Sequence, residues 1–101
     1  MRNVEATTVA PHAYGPPPNL RTLKEDIAAR RVILPGQFEK IGRYAFANPE
    51  AVAFGTSRQI AASAGASQST VSRFVRALGF EEFGEFRDIF RSYLRDRMSK
   101  V

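Results

Sequence analysis

Ala61, Gly65 and Val71 stand four and six residues apart, between two stretches whose apolar residues recur at helical spacing. Few arrangements accept that triplet. Two helices crossing at about 90–120° approach closely, so the inner residue of the first must be small. The link between them needs a residue at positive φ, which favours glycine. A β-branched apolar residue further on then seats the second helix against the first. The pattern is that of a helix-turn-helix.

The neighbouring residues agree with it. Thr56 and Gln59 have the spacing of a capping box, so a helix begins at Thr56 and offers the narrow face Ile60, Ala61, Ala64. Ser67 suits the N-cap of the next helix, which runs to about Leu78 and is stopped by Gly79. On a 3.6-residue wheel Val71, Phe74, Val75 and Leu78 share one face. Ser69, Ser72, Arg73 and Arg76 have the same spacing and fall nearly opposite, with Gln68 and Thr70 flanking them. No Asp or Glu occurs from Ala51 to Phe80, whereas Arg58, Arg73 and Arg76 do.

The rest of the chain also reads as helix. Asn19 is placed to cap a helix over Leu20–Arg31, with Leu20, Leu23, Ile27 and Leu34 on one stripe. A second helix covers Phe38–Ala47, with Phe38, Ile41, Tyr44 and Ala45 on one side. Pro49 fits the first turn of a short helix through Val52, which Phe54 is expected to seal to the core. A last helix runs from about Glu81 to Arg97 behind Phe83, Phe86, Ile89, Phe90, Tyr93 and Leu94. No segment alternates with period two for long enough to make a strand. The expected fold is all-α: a helix-turn-helix domain of five to six helices over residues 20–101. Its three-helix core is of winged-helix or homeodomain type, with flanking N- and C-terminal helices. Residues 1–19, with "PHAYGPPPN", read as a disordered arm.

Charge and composition narrow the function. A formal net charge of +5 and a pI near 10.2 point to an anionic partner, nucleic acid first. There is no cysteine, and the single histidine, His12, lies in the Pro-rich arm, so thiolate and histidine metal sites are not expected. No apolar run approaches about 18 residues, so no membrane span is expected. Glu81, Glu82 and Glu85 sit where acids favour a helix N-terminus, and no nucleophile–base pair accompanies them. Neither catalysis nor a cofactor is expected.

A helix-turn-helix places the N-terminal side chains of its second helix at base edges in the major groove. The candidates there are Gln68, Ser69, Ser72 and Arg73: glutamine suits adenine and arginine suits guanine. Thr56, Arg58, Ser67, Thr70 and Arg76 are candidates for the DNA backbone, with Thr56 and Ser67 acting through their N–H groups if their side chains cap. Arg21, Lys24, Arg30, Arg31, Lys40 and Arg43 read as the wet side of amphipathic helices. The Phe90, Tyr93 and Leu94 face, or the first helix, is the expected dimer contact. A helical protein–protein interaction module without a DNA role is the alternative.

"SRQIAASAGASQSTVSRFVRALGFEEFGEFR", with "YAFANPEAVAF" upstream, resembles the N-terminal domain of RpiR-family bacterial transcriptional regulators. The likeness covers about Leu20 to Leu94. It implies a dimeric, cytoplasmic reader of a double-stranded DNA operator, associated with the nucleoid when bound. It also implies control of sugar or sugar-phosphate genes. A phosphosugar effector would act through a C-terminal SIS domain that this chain does not contain. Three positions depart from the pattern. Pro35-Gly36 stands where Ser-Pro is frequent, Glu82 where glycine is frequent, and Ser57 where an apolar residue is frequent.

Overall fold

The computed structural model describes residues 16–29, 34 and 36–99. Residues 1–15, including His12, together with Arg30, Arg31 and Pro35, lie outside the described residues. Among the described residues there are six helices and no strand. They are α1 Leu20–Ala28, α2 Gly36–Ala47, α3 Pro49–Phe54, α4 Ser57–Ala64, α5 Gln68–Ala77 and α6 Phe83–Ser99.

Several helices start at residues whose local chemistry suits a helix N-terminus. Asn19 Oδ1 accepts from the Thr22 N–H at 2.8 Å to open α1. Pro49 opens α3, where its missing N–H costs nothing. At α6 the Glu85 carboxylate accepts from the Glu81 N–H at 2.9 Å. The left-handed Gly79, at φ +104°, and the bend at Glu81 and Glu82 delay that helix to Phe83, two residues later than the start at about Glu81 expected from the sequence. Helix α1 ends at Ala28, with Ala29 as C-cap, short of Arg31.

The core forms where α2, α4 and α5 meet and where α3 lies along α6. Ile41, Ala45, Ile60, Ala61, Val71, Phe74, Val75 and Leu78 are buried at the first junction, and Val52, Ala53, Phe86 and Phe90 are buried as well. A run of rings joins the two. Phe74 meets Phe38 edge-on at 5.8 Å and Phe86 at 5.5 Å. Phe86 meets Phe80 at 5.8 Å and Phe90 at 4.9 Å, and Phe90 stacks on Phe46 at 6.2 Å. Such offset and edge contacts suit the ring quadrupole.

Three expectations are corrected by this packing. Phe90 is fully buried within the chain, so it is not available to a partner. Its neighbours Tyr93 and Leu94 are only half-buried. Phe54 does not seal α3 to the core: it is 75% exposed, because α3 continues two residues past Val52 and turns that side chain outward. The packed unit also begins before Leu20. Pro17 is buried, and Pro16 lies against Gly79, where a Cβ would come within 3.0 Å of Pro16 Cα.

Helix α3 is too short to be stable alone. Two arginines of α6 hold its C-terminal end. Arg91 Nε donates to the Ala53 carbonyl at 2.7 Å, and Arg87 Nη1 donates to the Gly55 carbonyl at 3.4 Å. Cations at a helix C-terminus offset its free carbonyls and its dipole. Arg91→Ala is expected to lower the unfolding free energy by about 1.5–3 kcal/mol, the range for hydrogen bonds to charged groups. Urea denaturation followed by circular dichroism checks it.

Candidate nucleic-acid interface

The corner between α4 and α5 is built as the sequence suggests. Gly65 adopts φ +74°, ψ +36°, the left-handed region. The Ala66 N–H donates to the Ala61 carbonyl at 2.9 Å, and the Gly65 N–H donates to the Ala62 carbonyl at 3.3 Å. This is a Schellman ending, and it satisfies carbonyls that the helix leaves open. At Gly65 the backbone angle is the constraint, since a Cβ would meet only the Lys40 side chain, at 3.6 Å and beyond. Helix α5 ends in the same way. The Phe80 N–H donates to the Val75 carbonyl at 3.0 Å, and the Gly79 N–H donates to the Arg76 carbonyl at 2.9 Å.

The helix starts are equally well defined. Thr56 and Gln59 form both bonds of a capping box. Thr56 Oγ1 accepts from the Gln59 N–H at 3.1 Å, and Gln59 Oε1 accepts from the Thr56 N–H at 2.9 Å. Ser67 Oγ accepts from the Thr70 N–H at 3.1 Å. Gln68 Nε2 then donates to Ser57 Oγ at 3.1 Å. Ser57 and Gln68 are the first residues of α4 and α5, so the two helix N-termini converge. Neither first turn carries an acid. Two positive helix ends side by side favour an anion.

The cations confirm where charge is left unused. Arg58, Arg73 and Arg76 are exposed. Among the described residues the side chains of Arg58 and Arg76 have no ion pair or hydrogen bond. Elsewhere cations are engaged. Arg43 meets Glu39 at 3.0 Å and Arg21 meets Glu25 at 3.6 Å, while Arg97 donates to the Tyr93 hydroxyl at 2.7 Å.

A chain of hydroxyls runs through the start of α5. Arg73 Nη2 donates to Thr70 Oγ1 at 3.3 Å. Thr70 Oγ1 lies 2.8 Å from Ser67 Oγ, which lies 3.1 Å from Ser69 Oγ. Each hydroxyl has one proton to give. Arg73 donates at one end, and the hydroxyls can pass their protons in either direction, since each donates one and accepts up to two. The relay also draws the Arg73 guanidinium toward the N-terminal end of α5.

The candidate residues therefore separate by position. Gln68, Ser69 and Arg73 are exposed, and Ser72 is half-buried beside them. Thr56 and Ser67 spend their side-chain oxygens on caps. Thr70 is 8% exposed, because its β-branched side chain turns under the helix start, and its hydroxyl sits inside the relay. Two further residues belong to this corner. Lys40 Nζ donates to the Gly65 carbonyl at 3.2 Å, tying α2 to the turn. Ser57 holds Gln68. Neither contact has a local sequence signal, since the partners are 25 and 11 residues apart. No group of three or more His, Cys, Asp or Glu side chains is gathered among the described residues.

The helix-turn-helix domain of the rpiR family matches residues 22–97, which include all of α2 to α5 and most of α1 and α6. No curated protein and no solved structure matches the chain.

Proposed function

Because the chain belongs to the rpiR family of helix-turn-helix domains, a family of DNA-binding regulators, we propose that it reads a specific double-stranded operator in the major groove through the start of α5. The observation that supports this best is the acid-free surface where the α4 and α5 N-termini meet, with the Arg58 side chain unengaged in the first turn of α4 and that of Arg76 unengaged in the last turn of α5. Gln68, Ser69, Ser72 and Arg73 contact base edges in this reading. Arg58, Arg76 and the capped N-termini at Thr56 and Ser67 contact phosphates. Thr70 orders Ser67 and Arg73 from beneath. The regulated genes are those of sugar or sugar-phosphate metabolism, a reading that rests on family likeness alone.

We further propose that two copies bind one operator. Phe54 and Met98, each 75% exposed, flank a groove lined by Pro49, Glu50, Tyr93, Leu94 and Arg97. Phe54 stands as an apolar ridge beside that groove, and Glu50 and Arg97 carry opposite charges on the same surface. A two-fold copy would set the ridge of one chain in the groove of the other and Glu50 against the second Arg97, which is the self-complementarity a two-fold interface needs. No described helix is long and apolar enough to cross a membrane.

Selection of binding sites from a random duplex pool at moderate salt, followed by sequencing, tests the reading. The expected result is a two-fold symmetric motif whose half-sites lie one helical turn apart, or a multiple of it. A single half-site would keep the reader and remove the dimer. The exposed Phe54 and Met98 patch also suits an interaction module without a DNA role, and absence of any salt-sensitive duplex binding would favour that module.

A further inference from the structure

Resting on the DNA-binding reading above, we propose that Ser57 is a positioning residue for sequence readout: it holds Gln68 so that this position selects adenine. The two side chains come from different helices and meet through one hydrogen bond, Gln68 Nε2 donating to Ser57 Oγ at 3.1 Å. Both backbones are fixed where they meet. Ser57 follows Thr56, whose capping box closes α4, and Gln68 follows Ser67, whose side chain closes α5. The Ser57 hydroxyl is not needed as a cap, since Thr56 already fills that place.

The donor count sets what the held amide can read. Its nitrogen carries two protons and its oxygen two lone pairs. One proton goes to Ser57, which leaves one N–H donor and the whole carbonyl oxygen. Adenine presents an N7 acceptor and an N6 donor on its major-groove edge, the complement of that remainder. Guanine presents two acceptors there, so a fixed carbonyl would face O6 without a proton between them. An unheld glutamine can rotate its amide and meet either base in part. Ser57 removes that freedom in the free protein, before DNA arrives, and so converts a tolerant contact into a selective one.

Site selection by the wild-type chain, Ser57→Ala, Ser57→Thr and Gln68→Ala reads this directly. The wild type is expected to prefer adenine at one position of each half-site. Ser57→Ala should weaken that preference about tenfold, within the span of one bidentate pair. All other positions, the salt dependence and the melting temperature should stay as they were. Ser57→Thr keeps the hydroxyl and should keep the preference. Gln68→Ala should lose it at the same position, and adding Ser57→Ala to it should do nothing more. A wild-type motif that Ser57→Ala leaves unaltered overturns the clamp alone. A Gln68-dependent position that prefers another base overturns the adenine assignment. A wild-type chain that selects no motif overturns the reading beneath both.

Discussion

Phe74→Ala should destabilise the domain by about 3–5 kcal/mol, the cost of emptying a buried aromatic site. Domains of this size are stable by only about 5–15 kcal/mol, so the loss takes a large share. The melting temperature should fall by roughly 4–8 °C for each kcal/mol. The reason is position as much as area. Phe74 is fully buried and touches Phe38 of α2 on one side and Phe86 of α6 on the other. It joins the helix-turn-helix junction to the ring cluster of α6, and neither half can collapse into the space it leaves without moving the other. Thermal denaturation of the variant checks the expectation. Ser72→Ala, on the polar side of the same helix, should stay within about 0.5 kcal/mol of the parent. Equal effects from the two would mean that α5 is not packed through Phe74.

Ser69→Asp should act in opposite directions on folding and on binding. Ser69 is the second residue of α5, where a negative charge favours the helix dipole by about 0.3–1 kcal/mol. The melting temperature should hold or rise slightly. The same charge would lie at the converged N-termini, at the base edges and close to the phosphates that the Ser67 N-terminus meets in the proposed complex. Like charges brought together at an interface cost several kcal/mol, so duplex affinity should fall by at least about a hundredfold. Ser69→Asn, similar in size and neutral, should lose far less. Fluorescence anisotropy with a selected duplex and a melting curve on the same samples give both readings. Undiminished affinity in Ser69→Asp would move the DNA away from the start of α5.

Much of the fold and the site is legible in the chain because it is written in short intervals. The Thr56–Gln59 box, the Gly65 turn, the Ser67 cap and the Val71–Leu78 stripe are each set within eight residues, and each takes the local geometry those intervals imply. What is lost lies across helices. Asp26 is 1% exposed in α1, and no interval in the sequence marks it as buried. Phe54 reads as core by its chemistry and is exposed by its place at the end of α3. Phe90 reads as surplus aromatic surface, yet the run of rings from Phe38 to Phe46 takes it in. Lys40 at Gly65 and Ser57 at Gln68 depend on how helices cross, which no window of the sequence contains.

The way α6 grips α3 changes what the basic composition means for DNA. Arg87 and Arg91 face carbonyls within the chain, and Arg21 and Arg43 face carboxylates. The net charge of +5 is therefore not the number that governs counterion release. That number is the count of cations free to displace ions from the phosphates, and among the described residues Arg58 and Arg76 supply two per chain. For two chains on one operator, the logarithm of affinity should fall with the logarithm of salt at a slope of about −4 from these residues. Neutralising Arg91 should leave that slope where it is, and neutralising Arg58 should make it shallower by nearly two.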